Sequence, residues 1–282
     1  MKEKFKLQNP YIFILMLTLG IQVIGYTMYI SANGSAIGKT LWYNFLLSDK
    51  LAYGIDFYLA ALFFPLITFG LVKKTPWPFY LCFLWLATLS ALTWYQGGSF
   101  SAPYSIFAHN NRYMLPACLA YWIHSRTPGK KTYDDLSLIL TISIAIVFIT
   151  HGIEALRQNP VFIDYTLKFF RSYSPFHMKE KHAVLFLIGV GIQDILLAIA
   201  VLWKPNKWLF AYMAFWGFWT ASLRTVYSPN YGPAKTLLRA ANGGIPLVLC
   251  LQYFYCKGFP TPPLSPAFET LNSKIKVGKT RT

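Results

Sequence analysis

The chain has 282 residues, of which 55% are hydrophobic and 13% charged, about half the charged share of a soluble protein. The apolar residues fall in long runs, so the natural solvent of the chain is a bilayer. The net charge of +16 lies mainly in loops and tails, with no basic stripe on a soluble domain. This argues against nucleic acid as a partner and for topology signals and anionic-lipid contact.

Eight apolar segments are predicted to span: 10–30, 51–72, 78–95, 105–123, 136–153, 183–203, 208–225 and 235–255, each near the ~20 residues a bilayer requires. The first follows Lys2, Lys4 and Lys6 and is longer than the ~7–15-residue core of a cleaved signal peptide, so it reads as a retained anchor. After it, Leu41, Trp42 and Phe45 give 39–47 an amphipathic character. The fourth segment is interrupted by His109, Asn110, Asn111 and Arg112, which leaves a seven-span chain as the alternative. After the fifth, 161–173 carries Phe162, Tyr165 and Phe169 on one helical face and Asp164, Lys168 and Arg171 on another. That pattern suits a helix lying in the headgroup plane.

Lysine and arginine in the short connections set the orientation. Lys73 and Lys74, then Arg126, Lys130 and Lys131, then Lys204 and Lys207, share one side with both termini when eight spans are counted. That side is expected to be the cytoplasm of a bacterial-type inner membrane. The segment 158–182 runs against the trend with Lys168, Arg171, Lys179 and Lys181. Cys82, Cys118, Cys250 and Cys256 show no CxxC spacing and read as buried small hydrophobes.

The pattern also runs twice. Gly54-Ile55-Asp56 corresponds to Gly191-Ile192-Gln193-Asp194, 74–77 to 204–208, and Pro103 and Pro116 to Pro233 and Pro246. The expected fold class is all-α: a polytopic membrane protein of eight transmembrane helices in two tandem parallel four-helix units. The units are 1–124 and 136–256, joined by a cytoplasmic linker at 125–135 and followed by a flexible basic cytoplasmic tail at 257–282.

The expected chemistry lies in the second copy, whose spans hold the larger set of ionisable groups. Ionisable groups in spans are costly and face the bundle interior or water. Asp194 lies well inside its span, with Arg224 or Arg239 as the expected partner. His151 and Glu154 stand three residues apart and so nearly share a helical face, as a proton-transfer pair or as two of the ligands a metal would need. Neither a metal nor a covalent cofactor is expected. His109 aligns with Arg239, and Asn111 and Arg112 with Ala241 and Asn242, so the fourth and eighth segments both start polar and then meet a proline. Each proline frees a backbone carbonyl that must find a partner or line a cavity. Gly243-Gly244 permits close backbone approach.

The second copy resembles the DoxX/DoxD-like membrane proteins, small four-helix proteins of the inner membrane. The resemblance rests on His151-Gly152-Ile153-Glu154-Ala155-Leu156, on Gly191-Ile192-Gln193-Asp194-Ile195-Leu196-Leu197, on the turn 204–208, and on Arg239 with Gly243-Gly244-Ile245-Pro246-Leu247. It covers 136–255 and departs from the family in being doubled and in holding Asp194 where a glutamate is the more familiar acid. It implies a redox-associated subunit, linked to quinone or thiol chemistry, in contact with lipids and with partner subunits of a redox complex. On that reading His151, Glu154 and Asp194 are catalytic, while Arg224, Arg239, Asn242, His109 and Arg112 bind substrate. A bound quinone or a partner must carry the electrons, since the chain has no haem ligand pair, dinucleotide fingerprint or thiolate cluster. Two other readings stay open: a transporter or lipid- or small-molecule-binding protein with a site at the repeat interface, and an accessory subunit with no site of its own.

Overall fold

A computed structural model describes residues 10–175 and 178–255. Lys2, Lys4, Lys6, Cys256 and the basic tail 257–282 lie outside the described residues. Within them the chain is helical and has no strand. The helices are α1 (Pro10–Asn33), α2 (Ala36–Tyr43), α3 (Asp49–Lys73), α4 (Trp77–Gln96), α5 (Ser105–Ala108), α6 (Asn110–His124), α7 (Lys130–Leu156), α8 (Pro160–Tyr173), α9 (Glu180–Trp203), α10 (Lys207–Tyr227), α11 (Gly232–Leu237) and α12 (Ala240–Tyr255). A 3-10 turn at Ala102–Tyr104 precedes α5.

Local chemistry sets several of these boundaries. The Ser35 hydroxyl accepts the Ile37 N–H at the start of α2. Asn159 accepts the Val161 N–H at the start of α8, where Pro160 takes the first helical position, and Asn206 accepts the N–H groups of Trp208 and Leu209 at α10. Each cap satisfies donors that a helix start leaves orphaned. At its far end α3 stops on Lys74, whose left-handed backbone (φ 50°) returns its N–H to the carbonyls of Gly70 and Leu71, a standard way to close a helix.

By length and composition, five helical segments can cross a membrane: Pro10–Tyr43, Asp49–Lys73, Trp77–Gln96, Lys130–Leu156 and Glu180–Trp203. On α3 the side chains of Leu62 and Phe64 are exposed, as are Leu185 and Leu196 on α9. Exposed rows of this kind belong to helices whose outer surface meets hydrocarbon, and the chain has the helices of an integral membrane protein. The remaining segments expected to span differ in kind. Two are broken: 105–123 divides into α5 and α6 at His109, and 235–255 divides into α11 and α12 at Leu238–Arg239. The third, α10, is continuous but carries Lys207 and Arg224 among its aromatics.

The packing pattern maps onto itself when α1–α6 are exchanged for α7–α12. α1 packs on α3 and α7 on α9; α2 lies against α3 and α4, and α8 against α9 and α10; α4 packs on α6, and α10 on α12. The first helix of each half also meets the broken helix of the other, α1 against α11 and α12, and α7 against α5 and α6. One continuous core results. Leu15, Leu19 and Val23 of α1 join Leu115 and Leu119 of α6, Leu140 and Ile144 of α7, and Ile245 and Leu249 of α12.

Small residues fix the closest crossings. A Cβ on Gly152 would lie 2.8 Å from the Gly191 carbonyl oxygen, and one on Gly191 would lie 2.8 Å from that of Gly152. The backbones of α7 and α9 therefore touch. The prolines inside α6 and α12 leave the Arg112 and Asn242 carbonyls without a helical donor. Gln22 of α1 donates its Nε2–H to the Arg112 oxygen at 3.0 Å. The Asn242 carbonyl lies against Gly217 of α10, where a side chain would collide with it. Gly244 meets Thr18 of α1, while Gly243 faces the Phe218 ring, so both glycines serve helix packing.

Candidate functional site

The last turn of α7 supplies the first part of the site. Glu154 is 1% exposed and His151 Nδ1 stands 2.9 Å from its Oε2. A carboxylate only accepts, so Nδ1 carries the hydrogen, while His151 Nε2 is buried without a partner. Asn159 donates its Nδ2–H to Glu154 Oε1 at 3.2 Å and also to the Ser101 hydroxyl at 3.0 Å. Ser101 is itself hydrogen-bonded to Glu154. The connection before α5 and the start of α8 thus hold the carboxylate in place.

Asp194 departs from its expected pairing. Its Oδ1 accepts the indole N–H of Trp216 at 2.8 Å, and among the described residues the His151–Glu154 contact is the only ion pair. The arginines expected beside Asp194 turn onto their own helical backbone. Arg224 donates Nη1–H to the Thr220 carbonyl at 2.7 Å, and Arg239 to the Lys235 carbonyl at 2.9 Å. Packing of α10 on α9 presents an indole to Asp194, and a neutral N–H satisfies the carboxylate without a second charge.

The polar set is also not confined to the second half. Arg112, Arg224, Arg239 and His151 all stand within electrostatic range of His109, and the three arginines within range of one another. Arg112 is 2% exposed, with its Nη1 3.4 Å from the Tyr26 hydroxyl. His109 Nδ1 is 3.2 Å from the Ser90 hydroxyl. Asn111 of α6 donates Nδ2–H to Asn242 Oδ1 of α12 at 2.8 Å, a buried bond across the two broken helices. The breaks at His109 and at Leu238–Arg239 bring one half's polar residues against the other's. Reading the sequence half by half hides this, because Asn111 and Asn242 lie 131 residues apart.

Sequence reasoning also passed over Gln22, Tyr26, Ser101, Asn159 and Trp216, none of which carries a formal charge. Asp56 had a visible signal, its alignment with Asp194 in the expected repeat. It is fully buried and accepts the Ser35 N–H and hydroxyl, each at 2.7 Å. It anchors the start of α2 to α3.

A cavity of about 250 Å³ lies between α7, α8, α9 and α10 and reaches Asn242 of α12. Phe162, Tyr165 and Phe169 of α8 cover it, with Trp216 and Trp219 of α10 on its wall. His151, Asp194, Thr166, Thr220 and Arg224 are its polar groups. The Arg224 guanidinium sits over the Tyr165 ring, 5.4 Å from its centroid, a cation–π contact. Phe162, Tyr165 and Phe169, the aromatic face expected of 161–173, and the site residues on α7, α9 and α10 thus meet around one space. No group of three or more His, Cys, Asp or Glu among the described residues could hold a metal ion. Cys82, Cys118 and Cys250 are buried free thiols. In comparisons with known proteins, no family model, no curated protein and no solved structure matches the chain.

Proposed function

We propose that the chain is a multi-pass inner-membrane protein of two tandem four-helix units, and that the second unit binds a small ring-bearing amphiphile such as a quinone. The observation that carries the ligand reading is the make-up of the α7–α10 cavity. Its walls are aromatic and apolar, and a few fixed polar groups, His151, Asp194 and Arg224, face the same space. That combination marks small-molecule sites, in which apolar walls supply affinity and sparse polar groups set orientation.

Support for eight spans comes from taking α5 with α6 and α11 with α12. Each pair then reaches about the ~20 residues of a span, interrupted where it is buried within protein. Two helical groups with the same packing pattern support the duplicated reading. With an even number of spans in each unit the repeats run parallel, and both termini share the cytoplasmic side that the basic loops favour. The DoxX-like motifs belong to this proposal, as do the redox role and the partner subunits they imply.

In the quinone reading, His151 is the proton-exchanging group, with Nδ1 held by Glu154 and Nε2 left for a ligand. Asp194 serves as a second acid, and Arg224 faces the developing negative charge of a reduced ring. The test is titration of the purified full chain with decylubiquinone, followed by quenching of the cavity tryptophans. Saturable quenching that weakens in Phe169→Ala supports the site, and quenching no stronger than in denatured protein refutes it. Turnover with a thiol or quinol donor that is unchanged in His151→Ala and Asp194→Asn would leave a binding protein and remove the redox step.

A further inference from the structure

We propose that Arg112, Arg224 and Arg239 form a phosphate-binding site between the two halves, beside the aromatic cavity and sharing Arg224 with it. Arg112 and Arg224 are 2% and 7% exposed, and the Nε atoms of all three arginines are buried without a hydrogen-bond partner. Each side chain spends at most one N–H group on the hydrogen bonds described above, two of them to carbonyls of its own helix and one to the Tyr26 hydroxyl. A guanidinium has five donors in a planar fork suited to oxyanions. Buried arginines are ordinarily paired with carboxylates, yet none of these lies within ion-pair distance of one among the described residues.

The charge balance indicates the ligand class. Glu154 is the acidic side chain within electrostatic range of Arg224 and Arg239. Asp194 is occupied by Trp216. Three guanidinium charges against one carboxylate leave two positive charges in a region shielded from water. A phosphate group carries about 1.5 to 2 negative charges at neutral pH and three acceptor oxygens, which matches both the charge and the number of forks. A carboxylate would leave one positive charge uncompensated. The two broken helices fit this assignment, because each places an arginine beside its break and the breaks face one another across the α6–α12 contact. The phosphate can be the monoester headgroup of a lipid or free inorganic phosphate, both of which carry that charge.

The experiment uses the full chain in a neutral maltoside detergent. Binding is measured calorimetrically for inorganic phosphate, dodecyl phosphate, dodecanol and chloride. Phosphate-bearing probes are expected to bind in preference to dodecanol and chloride. Arg112→Gln and Arg239→Gln should each weaken that binding by about 10- to 100-fold, the value of one lost charge-assisted contact. Arg112→Lys and Arg239→Lys should retain part of it and serve if the glutamine variants do not fold. Tight binding of dodecyl phosphate alone assigns a lipid-borne phosphate, and equal affinity for inorganic phosphate assigns the free ion. Phosphate probes that bind no tighter than dodecanol and chloride overturn the site, as does unchanged affinity in the folded variants. Decylubiquinone titration of the same preparations reports on the aromatic cavity separately, so either reading can fail while the other stands.

Discussion

Gly217→Ala tests how α10 and α12 are held together at the edge of the cavity. The added Cβ would lie 2.6 Å from the Asn242 carbonyl carbon, 2.9 Å from the Gly243 nitrogen, and against the Asn242 oxygen. These are backbone atoms, so no side chain can rotate away to relieve the contact. Ordinary carbon contacts lie near 3.5–4.0 Å, so the two helices must part by about 1 Å. Overpacking of this kind costs about 1–3 kcal/mol, and for a chain of this size each kcal/mol lowers the melting temperature by about 2–4 °C. The loss should therefore be roughly 2–12 °C in thermal unfolding of the purified protein followed by tryptophan fluorescence. Gly189→Ala is the control, since nothing lies within 4 Å of its added Cβ, and alanine there gains up to about 1 kcal/mol of helix propensity. A Gly217→Ala protein that melts at or above the temperature of Gly189→Ala refutes the close α10–α12 contact.

The remaining predictions concern the polar interior. Glu154→Ala removes the acceptor of His151 and Asn159 and should cost about 1–3 kcal/mol for the stranded donors, read as a lower melting temperature than that of Glu154→Gln, which keeps an acceptor oxygen. Asp194→Asn retains a carbonyl oxygen for the Trp216 indole and should fold within about 1 kcal/mol of the parent, whereas Asp194→Ala should melt measurably lower; equal melting of the two would show that the indole bond adds nothing. Asp56→Ala should free the start of α2 from α3 and speed limited proteolysis in the connection 44–48, with no change in cleavage speaking against the Ser35–Asp56 anchor. Gln22→Leu leaves the Arg112 carbonyl unpaired beside Pro116 and should destabilise by about 1–3 kcal/mol, while Gln22→Glu, which cannot donate when ionised, should be no better.

The sequence made some of this architecture legible and concealed the rest for physical reasons. Apolar runs located every long helix because a bilayer imposes a length on each. The matched prolines also marked where carbonyls would lose their donors, and Gln22 supplies one to the Arg112 oxygen. The polar run 109–112 marked the break at His109, whereas the break at Leu238–Arg239 and the indole that takes Asp194 in place of an arginine had no such mark. A charged residue in a span announces itself, while its neutral partners, Asn159, Tyr26 and Trp216, resemble any other polar or aromatic residue of a membrane helix. The expected repeat drew attention to each half alone, whereas Asn111 of α6 meets Asn242 of α12 across them.

The exchange of end-helix contacts between the halves has a consequence for biogenesis. α1 leaves the ribosome first, but it packs on α11 and α12, which arrive more than two hundred residues later. At about 5–20 residues per second, α1 waits on the order of ten seconds or more for the surface that completes it. During that interval its Thr18 and Gly25 faces, which meet Gly244 and Leu237–Leu238, must be held by lipid, by provisional contacts or by the insertion machinery. Assembly therefore closes like a clasp, from both ends at once, and a nascent chain arrested before α11 would be inserted without being finished.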